Sequence, residues 1–260
     1  MALDTNNTQA YLSANPPATD GSMCCWYRRE VDNANVDTIA GFGGTVANMD
    51  IAEVSNTDLL RGNHANLVQT ASLLTETTGV WRYVFLSVVA GSGADGVMTI
   101  KYLNDGDTTF QGTEQITLLT NLGWTDLLIN TNQNGAGGGF SDALFAFVKF
   151  FNVVISDADA ITERSYRHNQ TGNQHATYKF ASGALTTDTG PNAYTLTGVG
   201  SGGTYVATEP TAILGDNPGA AKHQRRRDFM SYATLAAPAL EVFGRIFTRS
   251  KTGLMLPQGV

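Results

Sequence analysis

The chain has 260 residues, of which only 15% are charged and 28 are glycine, and its formal net charge is −7. This composition suits a sizeable core with many turns rather than long surface helices, and the acidic balance argues against a folded nucleic-acid binder, which needs clustered Lys and Arg. No stretch reaches the ~18 apolar residues that a membrane span requires.

The opening, MALDTNNTQAYLSANPP, has neither a basic start nor an apolar run of signal-peptide type. The cysteines, Cys24 and Cys25, are adjacent in a strand-like segment around Trp26. Neighbouring side chains on a strand point to opposite faces, so the expectation is two free thiols in a protein assembled in a reducing cytoplasm. In that setting the glycosylation patterns Asn6-Asn7-Thr8 and Asn169-Gln170-Thr171 are incidental.

From Trp81 the pattern sharpens. Trp81, Tyr83, Phe85 and Ser87 alternate with Arg82, Val84, Leu86 and Val88, which predicts a strand packed on both faces. Gly91 to Gly96 forces a reversal, Val97 to Leu103 resumes the extended pattern, and Asn104-Asp105-Gly106 supplies a tight turn. A further strand is predicted from Asp142 to Phe151. Ser156, with Asp159 three residues on, then caps a short amphipathic helix running to about Tyr166. Residues 171–214 read as several short strands that pack on the body, broken at Asp188 to Asn192.

This order of elements resembles the laminin-G-like, or concanavalin A-like, jelly roll as found in bacteriophage virion proteins. The matching positions are Trp26, Trp81, the Gly91 to Gly96 turn, Tyr102 to Gly106, Gly139 with Asp142, Phe151-Asn152 and Ile155 to Ile161. The resemblance covers about residues 2–170 and implies an all-β sandwich of antiparallel strands with one short helix. It also implies a rim Ca²⁺ site at Asp142, for which turn position adds Asn104, Asp105 and Asp107 as companion oxygen ligands. A plain hydrogen bond from Asp142 to the Gly135–Gly139 turn is the alternative. Trp124 and Tyr205 are the aromatics that could stack on a glycan or equally belong to the core.

Catalytic patterns are sparse. Hydrolases of this fold use an E-x-D-x-x-E strand with carboxylates ~5 Å apart. The nearest string places Asn48 where the nucleophile belongs, ahead of Asp50 and Glu53. His168 and His175, seven apart, read as part of a polar loop. The chain is therefore expected not to be an enzyme.

From Gly215 the sequence changes character. Seven cations, including Arg225, Arg226 and Arg227, stand against three acids and interleave with Phe229, Tyr232, Phe243 and Phe247. Residues 215–260 thus read as a basic, apolar C-terminal arm that docks on a protein surface. The leading expectation is a virion structural subunit (capsid decoration, fibre or other accessory protein) assembled in the host cytoplasm, with other virion proteins and copies of itself as partners. The alternative is a carbohydrate-binding module or phage receptor-binding protein recognising a surface glycan, with neither nucleic acid nor membrane as a partner.

Overall fold

The computed structural model describes residues 2–5, 10–18, 20–32, 36–44, 50–65, 67–89, 96–118, 123–131, 142–180, 188–199 and 204–214. The arm residues Arg225, Arg226, Arg227, Phe229, Tyr232, Phe243 and Phe247 lie outside them, as do the turns at 90–95 and 135–139.

In chain order the strands are β1 (Ala2–Asp4), β2 (Ala10–Ser13), β3 (Gly21–Arg29), β4 (Asp37–Gly43), β5 (Asp50–Val54), β6 (Leu59–His64), β7 (Val68–Gln69) and β8 (Leu74–Thr75). Then come β9 (Trp81–Val89), β10 (Val97–Asn104), β11 (Gly112–Thr117), β12 (Asp126–Ile129) and β13 (Ala143–Phe151). The helix α1 (Asp157–Glu163) precedes β14 (Gln174–Tyr178), β15 (Thr197–Val199) and β16 (Thr204–Val206). Sheet A runs β11-β10-β9-β3-β13-β1-β16 with β14 also on β13, and sheet B runs β15-β2-β12-β4-β5-β6-β7 with β8 also on β6. All these pairings are antiparallel. The two sheets enclose one core, and the result is the all-β jelly-roll sandwich that the sequence predicts, with one short helix among the described residues.

Alternation along β9 sorts its side chains as expected. Val84, Leu86 and Val88 enter the core between the sheets with Met23, Cys25, Phe42 and Phe150. Trp81, Tyr83 and Phe85 enter a second core on the far face of sheet A, with Cys24, Trp26, Phe147 and the helix residue Ala160. That second core explains why β3, β9 and β13 are apolar on both sides. The two thiols sit in different cores, both unbonded. Burial pushes Cys24 up to about 12, against the opposing pull of Lys149, and holds Cys25 well above the usual thiol range. Both are inert structural side chains at neutral pH.

The strands of 171–214 join the sheets themselves. β16 extends sheet A beside β1, with Leu3 opposite Tyr205, and β15 extends sheet B beside β2. The buried Asp188 fastens this stretch, its carboxylate accepting from the backbone N–H of Thr177, Gly190 and Tyr194. His175 lies on β14 rather than in a loop, because its segment pairs with β13, and it reaches Asn15 O while His168 meets Lys179.

Helix α1 begins as predicted, with Ser156 Oγ accepting from Asp159 N at 3.2 Å. It stops at Glu163, three residues short of the expected Tyr166, and Lys149 supplies the reason. Its ammonium, arriving from β13, takes the carbonyls of Glu163 (3.0 Å), Tyr166 (2.7 Å) and His168 (2.9 Å) together with Glu163 Oε2 (2.5 Å). The last turn of α1 has no basic residue of its own, so Lys149 is the cation at its C-terminal end. Tyr83 and Trp26 add ties from sheet A, donating to Ala160 O and Arg164 O.

Candidate functional site

At one end of sheet B, β4 ends in Phe42-Gly43 and β5 begins with Asp50. Phe42 points inward, meets Phe150 edge-on, and receives the ring of Trp124 in a near-parallel stack at 4.2 Å and 16°. The chain enters Trp124 through Gly123 at φ 65 and is tied to β4 directly after it, Thr125 N donating to Gly43 O at 2.8 Å. Trp124 Nε1 donates to Asp50 Oδ2 at 2.6 Å. Asp50 faces His64 across β5 and β6, and His64 Nδ1 lies 2.8 Å from its other oxygen. Asp50 and His64 are 3% and 1% exposed, while Trp124 stays half-buried.

The indole is thus held on one face by Phe42 and on its edge by a buried carboxylate that is itself held by histidine. Such a ring has little freedom left to lose, and it packs against the inter-sheet core while staying partly exposed. Among the described residues His64 Nε2 is buried without a hydrogen-bond partner, so this imidazole acts through Asp50.

The other sequence-read positions separate. Asp50 and Glu53 do not form a carboxylate pair. The register of β5 against β6 is regular, Asp50 opposite His64 and Glu53 opposite Arg61, so the two side chains leave opposite faces of the sheet. Glu53 binds Arg61 and Asn63 at 2.8 and 3.0 Å on its own face. Asn48 lies outside the described residues.

The proposed Ca²⁺ ligands are likewise apart. Asp142 precedes β13, whereas Asn104 ends β10 and Asp105 and Asp107 follow it, with β9 and β3 between. Three strand spacings amount to about 14 Å, too far to share one cation. Asp105 instead accepts from Thr211 and Ala212, and Asp107 from Asn104. Burial raises the Asp142 carboxyl, and the charges of Asp4 and Glu30 raise it further. Among the described residues no group of three or more His, Cys, Asp or Glu side chains is arranged to hold a metal ion, and no helix is long and apolar enough to cross a membrane. Tyr205 lies on β16, partly buried against the inter-sheet core.

The opposite end of the sandwich carries a buried polar cluster. Tyr27 donates to Glu76, Arg82 reaches Glu76 and Asn104, and Arg29 joins Asp37 and Asp58. Burial raises both Glu76 and Tyr27. These charges pair with one another and close that end of the sandwich.

Sequence reasoning singled out Trp124 but missed Asp50 and His64 as its anchors, and it missed Lys149. A lone lysine inside ALFAFVKFF was the available signal, since a cation in a strand buried on both faces demands a partner.

No family model and no curated protein matches the chain. Among solved structures it is similar to a candidate carbohydrate-binding protein from Bacteroides ovatus ATCC 8483, at 12% identity and TM-score 0.51 over 79% of this chain. The match spans 62% of that protein, under two thirds of its length. Lesser likenesses are to the native heptameric SAP-like pentraxin from Limulus polyphemus (14% identity, TM-score 0.44, 63% of this chain and 81% of that one) and to the sialyllactose-bound CBM40 of Ruminococcus gnavus IT-sialidase (15%, 0.34, 56% and 83%). The chain has the jelly-roll, concanavalin A-like fold.

Proposed function

We propose that the chain is a non-enzymatic carbohydrate-binding module whose ligand rests on Trp124. The observation that carries this reading is the fixed, half-buried indole, stacked on Phe42 and hydrogen-bonded to Asp50. A preorganised aromatic ring suits the C–H face of a sugar ring. The fold shared with a candidate carbohydrate-binding protein supports the same reading. Trp124→Ala should cut affinity for the best ligand on a glycan array by about 100-fold, the loss of one well-packed anchor, with an unchanged far-UV circular dichroism spectrum. Full binding by a folded Trp124→Ala variant would overturn the assignment.

A virion assembly role is a second proposal, and it rests on the basic, apolar segment 215–260. A chain ending at Leu214 should remain a soluble monomer by light scattering while the full chain forms larger species. Equal masses for the two would remove the support for that role.

A further inference from the structure

We propose that the site takes an oligosaccharide rather than a single sugar, with Tyr194 as a second platform beside Trp124, an inference that rests on the glycan reading above. β12 and β15 flank β2 and both run antiparallel to it, so they enter sheet B from the same end. Leu12 of β2 lies opposite Leu128 on one side and Thr197 on the other. Trp124 is four residues ahead of Leu128 and Tyr194 three ahead of Thr197, which puts the two aromatic residues at nearly the same level beyond the strands. Two strand spacings separate them, about 10 Å. Both pack against the inter-sheet core, and both remain half-buried.

Tyr194 is fixed as Trp124 is. Its backbone N–H donates to Asp188 Oδ2 at 3.3 Å, and its carbonyl accepts from Asp188 N at 3.2 Å. Its ring rests on His175 at 5.2 Å and 50°, and that imidazole, 9% exposed, is itself held by Nε2 donating to Asn15 O at 2.6 Å. The buried Tyr27 and Tyr83 donate their hydroxyls to Glu76 and Ala160 O, whereas the Tyr194 hydroxyl has no partner among the described residues. Between the two aromatic residues β2 leaves the sheet after Ser13, and Ala14 and Asn15 are exposed there. The Asn15 side-chain amide, 3.4 Å from Ser13 Oγ, offers a donor and an acceptor to sugar hydroxyls along the way. A single hexose on Trp124 does not cover that span, but a chain of sugar rings does. Because both platforms are already held in place, the second contact adds affinity at little further cost in ordering.

The test is isothermal titration of the full chain with gluco- and mannooligosaccharides of one to six units. Affinity should rise at least about tenfold between the disaccharide and the longest oligomers. Tyr194→Leu, checked for folding by circular dichroism, should remove that gain while leaving disaccharide binding unchanged. Tyr194→Phe, which keeps the ring, should retain most of the gain, and Trp124→Ala should weaken binding at every length. Affinity that does not grow with length in the parent chain, or a full gain in folded Tyr194→Leu, would overturn the second platform, and a loss in Trp124→Ala would still leave the first site standing. Binding that survives Trp124→Ala would remove the site itself, and absence of binding at every length would overturn the glycan reading together with this inference.

Discussion

Replacing Lys149 by methionine is expected to destabilise the domain by about 3–5 kcal/mol, the usual cost of stranding one member of a buried ion pair. Lys149 and Glu163 are both wholly buried, on the far face of sheet A. Glu163 Oε1 would keep three donors, Gln170 N, Thr171 N and Thr171 Oγ1 at 2.6–2.7 Å, but Oε2 would face the methionine thioether with no donor. The carbonyls of Glu163, Tyr166 and His168 would lose their ammonium as well. Burial lowers the Lys149 pKa, which marks the desolvation that these partners offset. For a unit of this size the loss corresponds to a fall of roughly 6–20 °C in Tm. Urea unfolding should show a lower midpoint at an unchanged slope. The double replacement Lys149→Met with Glu163→Leu should restore only part of the loss, because the leucine cannot satisfy Gln170 and Thr171. Full restoration would mean that the helix end does not depend on the ammonium, and a single-variant loss under ~1 kcal/mol would mean that the pair carries little stability.

The same layer shows where local sequence signals suffice and where they stop. Strands β9, β10 and β13 and the Ser156 cap were legible because alternation and capping are encoded within ten residues. Sheet B was not. In β5 and β6 the residues Asp50, Glu53, Arg61 and His64 interrupt any apolar alternation, and Asp50, Glu53 and His64 are buried, with Arg61 partly so, only because each meets a partner across the strand pair. Polar residues of that kind become core residues once register supplies the hydrogen bonds, and register is not a local property. The pairing of β1 with β16 and of β2 with β15 joins residues about two hundred positions apart. The candidate site has the same character. Trp124 was visible as an aromatic, but its anchors come from β4, β5 and β6, with 74 positions separating it from Asp50. The companions suggested for Asp142 failed for the complementary reason, since similar residues in two turns at one end of a sheet can still be three strands apart.

Gly41→Ala should be the most damaging single-methyl addition in sheet B, at about 3 kcal/mol or more. β4 is gripped on both edges, by β12 at Leu128 and by β5 at Ile51. A Cβ at Gly41 would stand 2.3 Å from Asp50 O and 2.7 Å from Ile51 Cα, both main-chain atoms. Relief would require β4 and β5 to separate, breaking their ladder where Phe42 and Asp50 hold Trp124. Gly43, two residues on, is a control in the same strand. There the added methyl would meet Leu128 Cδ1 at 2.3 Å and Cγ at 2.6 Å, a side chain that can rotate, so Gly43→Ala should cost about 1–3 kcal/mol. The two variants add the same atom to the same face and differ in whether backbone or side chain must yield. Gly41→Ala should also blunt the Trp124 fluorescence change on ligand binding at temperatures where the variant is still folded, because the Asp50 carboxylate moves with its carbonyl. Equal stability losses for the two alanines would show that β4 and β5 part more easily than their pairing implies, and the rigidity attributed to the indole would fall with it.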